Sequence, residues 1–254
     1  MTTRGARTHS LLGRFTAPAV WAAVVLAAGA AMWAPADTDP GLSPVSLTIS
    51  DFAALDRGGP IETGMAVLGV TSLALSAVAR RWLPPLRGLP TVLLAAWGLG
   101  LVVAAVIPTD PLATHLSGPA LVHRYASITA FVALPLSGLV MARRLSPAPD
   151  ALRTVRRLRL LSGAAVAGAL VMALAAGPGN RELIGLAERL LLACETALLG
   201  VLAHHVQHHI RLTTPPEGGL GGTYGQGGPL PMPHQQQRTA ASMDNELGDP
   251  RLGR

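Results

Sequence analysis

Residues 89–107 read LPTVLLAAWGLGLVVAAVI, a run of nineteen residues that contains no charged side chain. An α-helix rises 1.5 Å per residue, so this run would form a helix about 28 Å long. The hydrocarbon core of a bilayer is about 30 Å thick. The stretch therefore predicts a helix that crosses a membrane.

Five further apolar runs have a similar length, and none alternates polar and apolar residues as a membrane strand would. The predicted spans are Phe15–Ala34, Ile61–Ala79, Leu89–Ile107, Leu121–Met141, Leu158–Ala176 and Leu183–Val206. The predicted fold class is an all-α polytopic membrane bundle of six helices. It divides the chain into an N-terminal segment (residues 1–14), a transmembrane domain (15–210) and a C-terminal tail (211–254).

The overall composition agrees with a membrane location. Half of the residues are hydrophobic and 13% are charged, whereas soluble domains carry roughly 25% charged residues. This composition argues against a purely soluble enzyme. Cys194 is the single cysteine, which excludes an intramolecular disulfide and a cysteine-based zinc cluster.

All twenty basic residues are arginine, and their positions predict the orientation of the chain. Arginines are frequent before the first span, between the second and third, between the fourth and fifth, and after the sixth. Aspartate and glutamate dominate the alternate connections. By the positive-inside rule both termini are cytoplasmic and the acidic connections face outward. The net charge of +6 could indicate nucleic-acid binding, but this placement predicts membrane lipids as partners, no nucleic acid, and a multi-pass protein of the cell membrane.

Two terminal regions need separate interpretation. Ala34-Pro35-Ala36 follows a basic start and an apolar run, as in a cleaved signal peptide. The run is longer than a signal core, so an uncleaved first helix is favoured; cleavage would leave five spans. The Gly-, Pro- and Gln-rich residues from about 213 onward predict a disordered cytoplasmic tail.

The first predicted outer connection contains two local signals. Val45, Leu47 and Ile49 alternate with polar residues, which predicts a short extended piece. Thr48 and Asp51 have the spacing of a capping box, which predicts a short helix that continues through Leu55.

Ionisable residues within spans are costly and so suggest function. Arg124 and Glu188 are expected at similar depths, where they could form an ion pair. Glu195 is expected near the middle of the bilayer without an opposite charge. It is therefore predicted to be protonated or hydrogen-bonded to Thr129 or Ser137.

The candidate site is a cluster of polar residues at the outer side. In one interpretation its members surround an outward-opening cavity; in the other they tie helices together and cap them. The cluster comprises Asp51, Asp110, His115, His123, Arg124, Glu188 and Arg189, with Glu195 as an intramembrane acid. No metal site is predicted, because the four histidines His204, His205, His208 and His209 have helical i,i+4 spacing but no accompanying carboxylate. No cofactor motif occurs either. Gly98, Gly100, Gly163 and Gly168 are interpreted as helix-packing positions.

Several short motifs occur along the chain in the same order as in a known family. They are Ser43-Pro44-Val45-Ser46, Ile49-Ser50-Asp51, Ile107-Pro108-Thr109-Asp110, His123, and Gly185-Leu186-Ala187-Glu188-Arg189. Together they resemble the domain of unknown function 998 family of small prokaryotic membrane proteins. The resemblance covers roughly residues 15–210 and implies a six-helix membrane fold without a defined activity. The Ile-Ser-Asp loop is also similar to the Frag1/DRAM/Sfk1 group.

Three functions are compatible with these patterns. The first is a non-enzymatic protein that binds a lipid or small solute, or supports a partner, through the outer cluster. The second is an intramembrane lipid hydrolase in which His123 and carboxylates hold a metal or activate water. The third is a proton-coupled transporter that uses Glu195. The first is favoured because no catalytic motif and no pair of broken helices is present.

Overall fold

The computed structural model describes residues 18–30, 43–55, 59–110, 117–147, 151–177 and 181–213. Within these ranges the regular elements are seven α-helices and one 3₁₀ turn, Pro84–Leu86. The helices are α1 (Pro18–Ala30), α2 (Ile49–Leu55), α3 (Pro60–Trp82), α4 (Leu89–Val106), α5 (Gly118–Leu145), α6 (Leu152–Ala176) and α7 (Ile184–Thr213). The predicted all-α class is confirmed for this part of the chain.

Four of these helices, α3 to α6, are long and apolar enough to cross a membrane. Each coincides with a span predicted from the sequence, and the ends differ by a few residues. The described part of α1 is shorter than a span. Helix α7 has 30 residues but carries Glu188, Arg189 and Glu195 within its first half.

The long helices pack in chain order. Helix α3 packs against α4, α4 against α5, α5 against α6, and α6 against α7, while α7 also touches α3 and α5. One buried cluster unites them and includes Leu75, Trp97, Leu134 and Leu198. Helix α1 joins this cluster through Val20 and its neighbours, so the bundle has a continuous apolar interior.

Glycines allow neighbouring helices to approach closely. Four glycines are candidates for such packing positions, and the prediction is confirmed at three of them. A Cβ atom on Gly98 would lie 2.8 Å from the carbonyl oxygen of Gly69, and one on Gly100 would lie 2.8 Å from that of Ala126. A Cβ on Gly168 would contact Leu191 at 3.4 Å. The prediction is wrong for Gly163, which has no neighbour within 4 Å of an added Cβ, because it lies on an exposed face of α6.

The two ends of the bundle differ in chemistry. One end, called the α2 end, holds α2, the C-terminus of α4 and the N-termini of α5 and α7. The opposite end, called the arginine-rich end, holds the 3₁₀ turn, the C-terminus of α5 and the N-terminus of α6. Arg144 joins elements there, since its Nη1 donates to the carbonyl oxygen of Arg87 at 2.6 Å.

Some expectations fall outside the described residues. They concern the N-terminal segment (residues 1–14), the possible cleavage site at residues 34–36 and the C-terminal tail from residue 214 onward.

Candidate functional site

The segment before α2 is a turn and not the predicted extended piece. The backbone N–H groups of Ser46 and Leu47 both donate to the carbonyl oxygen of Ser43, at 3.2 and 3.0 Å. The alternation of Val45, Leu47 and Ile49 with polar residues predicts an extended piece. The prediction is wrong because the chain turns: Leu47 and Ile49 are buried, while Val45 stays exposed.

The predicted capping box and short helix are confirmed. The Thr48 N–H donates to Oδ2 of Asp51 at 3.0 Å, and the Asp51 N–H donates to Oγ1 of Thr48 at 3.0 Å. Oδ2 of Asp51 also accepts from Nη2 of Arg181 at 3.0 Å. Arg181 has a left-handed backbone with φ of 64°. Asp51 therefore fixes the start of α2 and joins it to the chain before α7.

Glu188 lies beneath the start of α2. Its side chain is 4% exposed, and Oε2 accepts a hydrogen bond from the Ile49 N–H. The predicted pair between Glu188 and Arg124 is wrong: no ion pair joins these two described residues, because Glu188 is buried against α2 and Arg124 lies on an exposed face of α5. The expectation came from equal depth in the membrane, which does not specify the direction that each helix face takes.

The side chain of Arg189 binds main-chain carbonyl groups of the turn. Its Nη1 donates to the carbonyl oxygens of Pro44, Leu47 and Gly185 at 2.7, 3.0 and 3.1 Å. The guanidinium carbon also lies 5.6 Å from the centre of the Phe52 ring, a cation–π distance. Nη2 is buried without a hydrogen-bond partner among the described residues.

Gly185 makes this contact possible. A Cβ atom there would overlap the carbonyl oxygens of Pro44 and Leu47. One residue later, the Leu186 N–H donates to the carbonyl oxygen of Val45 at 3.1 Å. The first turn of α7 thus lies directly against the backbone of the segment. We call Gly185, Glu188, Arg189 and residues 43–55 the α2 clasp.

His123 connects the clasp to two other helices. Its Nδ1 lies 2.9 Å from the carbonyl oxygen of Ile107, and its Nε2 lies 3.3 Å from Oγ of Ser50. A carbonyl can only accept, so Nδ1 carries the proton in this contact. In a neutral imidazole Nε2 then accepts from the Ser50 hydroxyl.

The remaining predicted site residues take other positions. Asp110 closes its own connection, because its Oδ2 accepts from the Ser117 N–H at 2.8 Å. Arg124 is exposed, and His115 lies outside the described residues. The structure therefore brings together Asp51, His123, Glu188 and Arg189, which are four of the seven predicted members.

Glu195 lies inside the bundle, away from the clasp. Its side chain is 0% exposed, and its Oε2 accepts from Nε1 of Trp97 at 3.2 Å. Its Oε1 has no hydrogen-bond partner among the described residues. The expected partners Thr129 and Ser137 are wrong, because their hydroxyls donate to the carbonyl oxygens of Tyr125 and Pro90.

Metal binding has no support in the described part of the chain. There, no group of three or more His, Cys, Asp or Glu side chains is placed to hold an ion. His204 and His208 lie near each other on α7, with ring centres 6.4 Å apart.

Sequence reasoning missed four contributors: Ser50, Arg181, Gly185 and Trp97. Ser50 and Gly185 stand inside the quoted motifs, so the motif order was a usable signal for both. Trp97 had a weaker signal. A tryptophan within a span carries an N–H donor that needs an acceptor, and a buried carboxyl group is such an acceptor.

The helices and the clasp together define a class. Four apolar helices of spanning length, joined by a polar assembly at one end, are the architecture of a multi-pass integral membrane protein. The family described as Protein of unknown function (DUF998) matches residues 14–205, and the chain belongs to it. No curated protein and no solved structure matches the chain.

A substitution at Arg189 tests the clasp. Arg189→Met removes the guanidinium and keeps much of the side-chain volume, so the bound segment should open more often. Hydrogen bonds to charged groups contribute about 1.5–3 kcal/mol, which corresponds to roughly 10- to 100-fold faster amide exchange at Leu47 and Ile49. Hydrogen–deuterium exchange of the detergent-purified protein measures this change.

The matched control is Arg124→Met, which removes an exposed arginine from the same end of the bundle. It should leave exchange in residues 43–55 unchanged. Equal exchange in both variants would show that Arg189 does not hold the segment.

Proposed function

We propose that this chain is a non-enzymatic, six-span protein of the cell membrane that supports a partner protein at its outer face. The observation that carries the proposal is that two charged residues of the polar cluster bind the protein's own backbone. Glu188 and Arg189 bind the main chain of residues 44–49, so their charges hold a segment of the protein itself. The cluster acts as a support for a surface and not as the lining of a ligand cavity.

Residues 43–55 of the α2 clasp, together with Arg181, form the surface that a partner could contact. Val45 is 42% exposed and Leu55 is 47% exposed, while Arg181 is 49% exposed beside Asp51. Exposed apolar and charged groups on a segment already held by hydrogen bonds to α7 suit contact with another protein, since little ordering entropy is lost on binding.

The six-span topology adds α1 and α7 to the four helices of clear spanning length. Among the described residues, the α2 end carries Asp51, Glu62, Asp110, Glu182 and Glu188, and the arginine-rich end carries Arg80, Arg81, Arg143, Arg144 and the arginines of α6. By the positive-inside rule the arginine-rich end is cytoplasmic. Both termini are then cytoplasmic, and the clasp faces outward.

Reporter fusions test this orientation. A phosphatase that folds only outside the cytoplasm should be active when it is fused after Asp110 and inactive when it is fused after Arg87 or Ser146. A fluorescent protein that matures only in the cytoplasm serves as the reciprocal control. Phosphatase activity after Arg87 would reverse the topology and place the clasp inside the cell.

Photo-crosslinking tests the support of a partner. A benzophenone amino acid in place of Val45 should give a discrete protein adduct in intact membranes, and the added substitution Arg189→Met should abolish it. The same probe in place of Val166, which is 38% exposed on α6, is the control for lipid-facing positions. Identical patterns from both positions would contradict the proposal.

One observation favours a second function, acyl-ester hydrolysis of a lipid. Ser50 Oγ lies 3.3 Å from His123 Nε2, and the Ile107 carbonyl holds the other ring nitrogen. Nucleophile–base pairs have separations of about 2.6–3.2 Å, often looser without substrate. Ser50 would attack the ester carbonyl while His123 takes its proton and returns it to the departing alcohol. Water would then release the acid and regenerate Ser50.

A fluorophosphonate probe separates the two functions, because it phosphonylates activated serines with loss of fluoride. The non-enzymatic proposal expects no labelling of the purified protein. Labelling that disappears in both Ser50→Ala and His123→Ala would establish the hydrolase instead. Ser46→Ala, on the same segment, is the matched control.

A further inference from the structure

A groove opens between α3 and α4 at the arginine-rich end, far from the clasp. Its volume is about 660 Å³. The lining residues are Leu73, Ser76, Ala77, Arg80 and Arg81 of α3, Arg87 of the following turn and Ala95 of α4. The groove is thus cationic at one end and apolar along its length.

The cationic end lacks nearby carboxylates. Arg80, Arg81 and Arg87 are all exposed, and residues 63–109 contain no aspartate or glutamate. Among the described residues, no ion pair neutralises these three side chains. The positive end of the α4 dipole points to the same place, because α4 begins at Leu89. An anion is the complementary ligand.

Arg87 is held in position by the end of α3. Its Nε donates to the carbonyl oxygen of Arg80 at 2.9 Å, and its Nη2 donates to that of Arg81 at 3.3 Å. These bonds use two of the five N–H groups of a guanidinium. The side chain is therefore placed beside Arg80 and Arg81 and keeps donors for a ligand.

The apolar part of the groove continues along the surface of α3 and α4, away from the three arginines. Leu73 precedes Arg80 by seven residues, which corresponds to about 10 Å along a helix. Ser76 Oγ donates to the carbonyl oxygen of Thr91 at 2.7 Å, and this bond fixes α3 and α4 to each other across the groove. Ala77 and Ala95 leave room between them because their side chains are small.

We propose that this groove binds an anionic phospholipid. Arg80, Arg81 and Arg87 bind the headgroup phosphate, and an acyl chain lies along Leu73, Ala77 and Ala95. Basic pockets between membrane helices on the cytoplasmic side are suited to anionic headgroups. This binding activity goes beyond the proposed support of a partner, because it uses the opposite end of the bundle.

Native mass spectrometry from mild detergent tests the site. Phosphatidylglycerol and phosphatidylethanolamine with the same acyl chains are added to the intact protein, and we expect retention of phosphatidylglycerol. Arg80 and Arg81 line the groove and would contact the headgroup directly, so R80Q/R81Q should weaken retention at least about tenfold. The matched control R156Q/R157Q removes an adjacent pair of exposed arginines at the same end and should retain the lipid like the wild type.

Two further variants keep the test decisive if R80Q/R81Q folds poorly. R80K/R81K preserves the charge and should retain phosphatidylglycerol. A77W fills the apolar part while all three arginines remain, and it should lose the lipid. Undiminished binding by A77W, or equal losses in R80Q/R81Q and R156Q/R157Q, would overturn the proposal.

Competition with inorganic phosphate distinguishes a lipid-binding site from a site for free anions. Millimolar phosphate should not displace phosphatidylglycerol, because phosphate lacks the acyl chain. Displacement at that concentration would assign the site to free anions and overturn the lipid proposal.

Discussion

Backbone N–H and C=O groups that are buried outside a helix or strand need other hydrogen-bond partners, and this constraint governs the α2 end. The turn at residues 43–47 exposes carbonyl groups that no strand or helix pairs. Arg189 supplies donors to two of them, those of Pro44 and Leu47, and Glu188 accepts from Ile49. Gly185 permits the approach because it has no side chain. Removing Arg189 would take the donor away from the Pro44 and Leu47 carbonyls, and removing Glu188 would leave the buried Ile49 N–H without this acceptor.

The same constraint explains why α7 carries charges that a span normally avoids. Glu188 and Arg189 stand in its second turn, where their cost is offset by bonds to the segment and by attraction to each other. Glu195, deeper in the same helix, has a different environment. Its one described partner is the indole N–H of Trp97, and its other oxygen is unpaired among the described residues. A buried polar atom without a partner costs free energy, so Glu195 is retained at some expense to the fold.

The all-α class, the approximate positions of the four long apolar helices and the local start of α2 could be predicted from the sequence, because they depend on local features. Span length follows from apolar runs, and the Thr48–Asp51 box uses residues three apart. The pairings across the bundle could not be predicted. Depth along a helix places Arg124 level with Glu188, but the rotation of each helix face depends on packing, and packing turns Arg124 outward. Trp97 and Glu195 are 98 positions apart, so no local pattern connects them.

The contrast between the two ends bears on where a ligand can bind. The sequence motifs concentrate at the α2 end, yet the charges there are largely engaged by the protein's own backbone and by Asp51–Arg181. At the arginine-rich end no motif stands out, and the cations beside the α3–α4 groove have no carboxylate partner among the described residues. Internal bonds lower the free energy that a charged group can still gain from a ligand. The quoted sequence motifs in this protein therefore coincide with structural ties, while the charges without a carboxylate partner among the described residues lie beside the α3–α4 groove, where we propose that an anion binds.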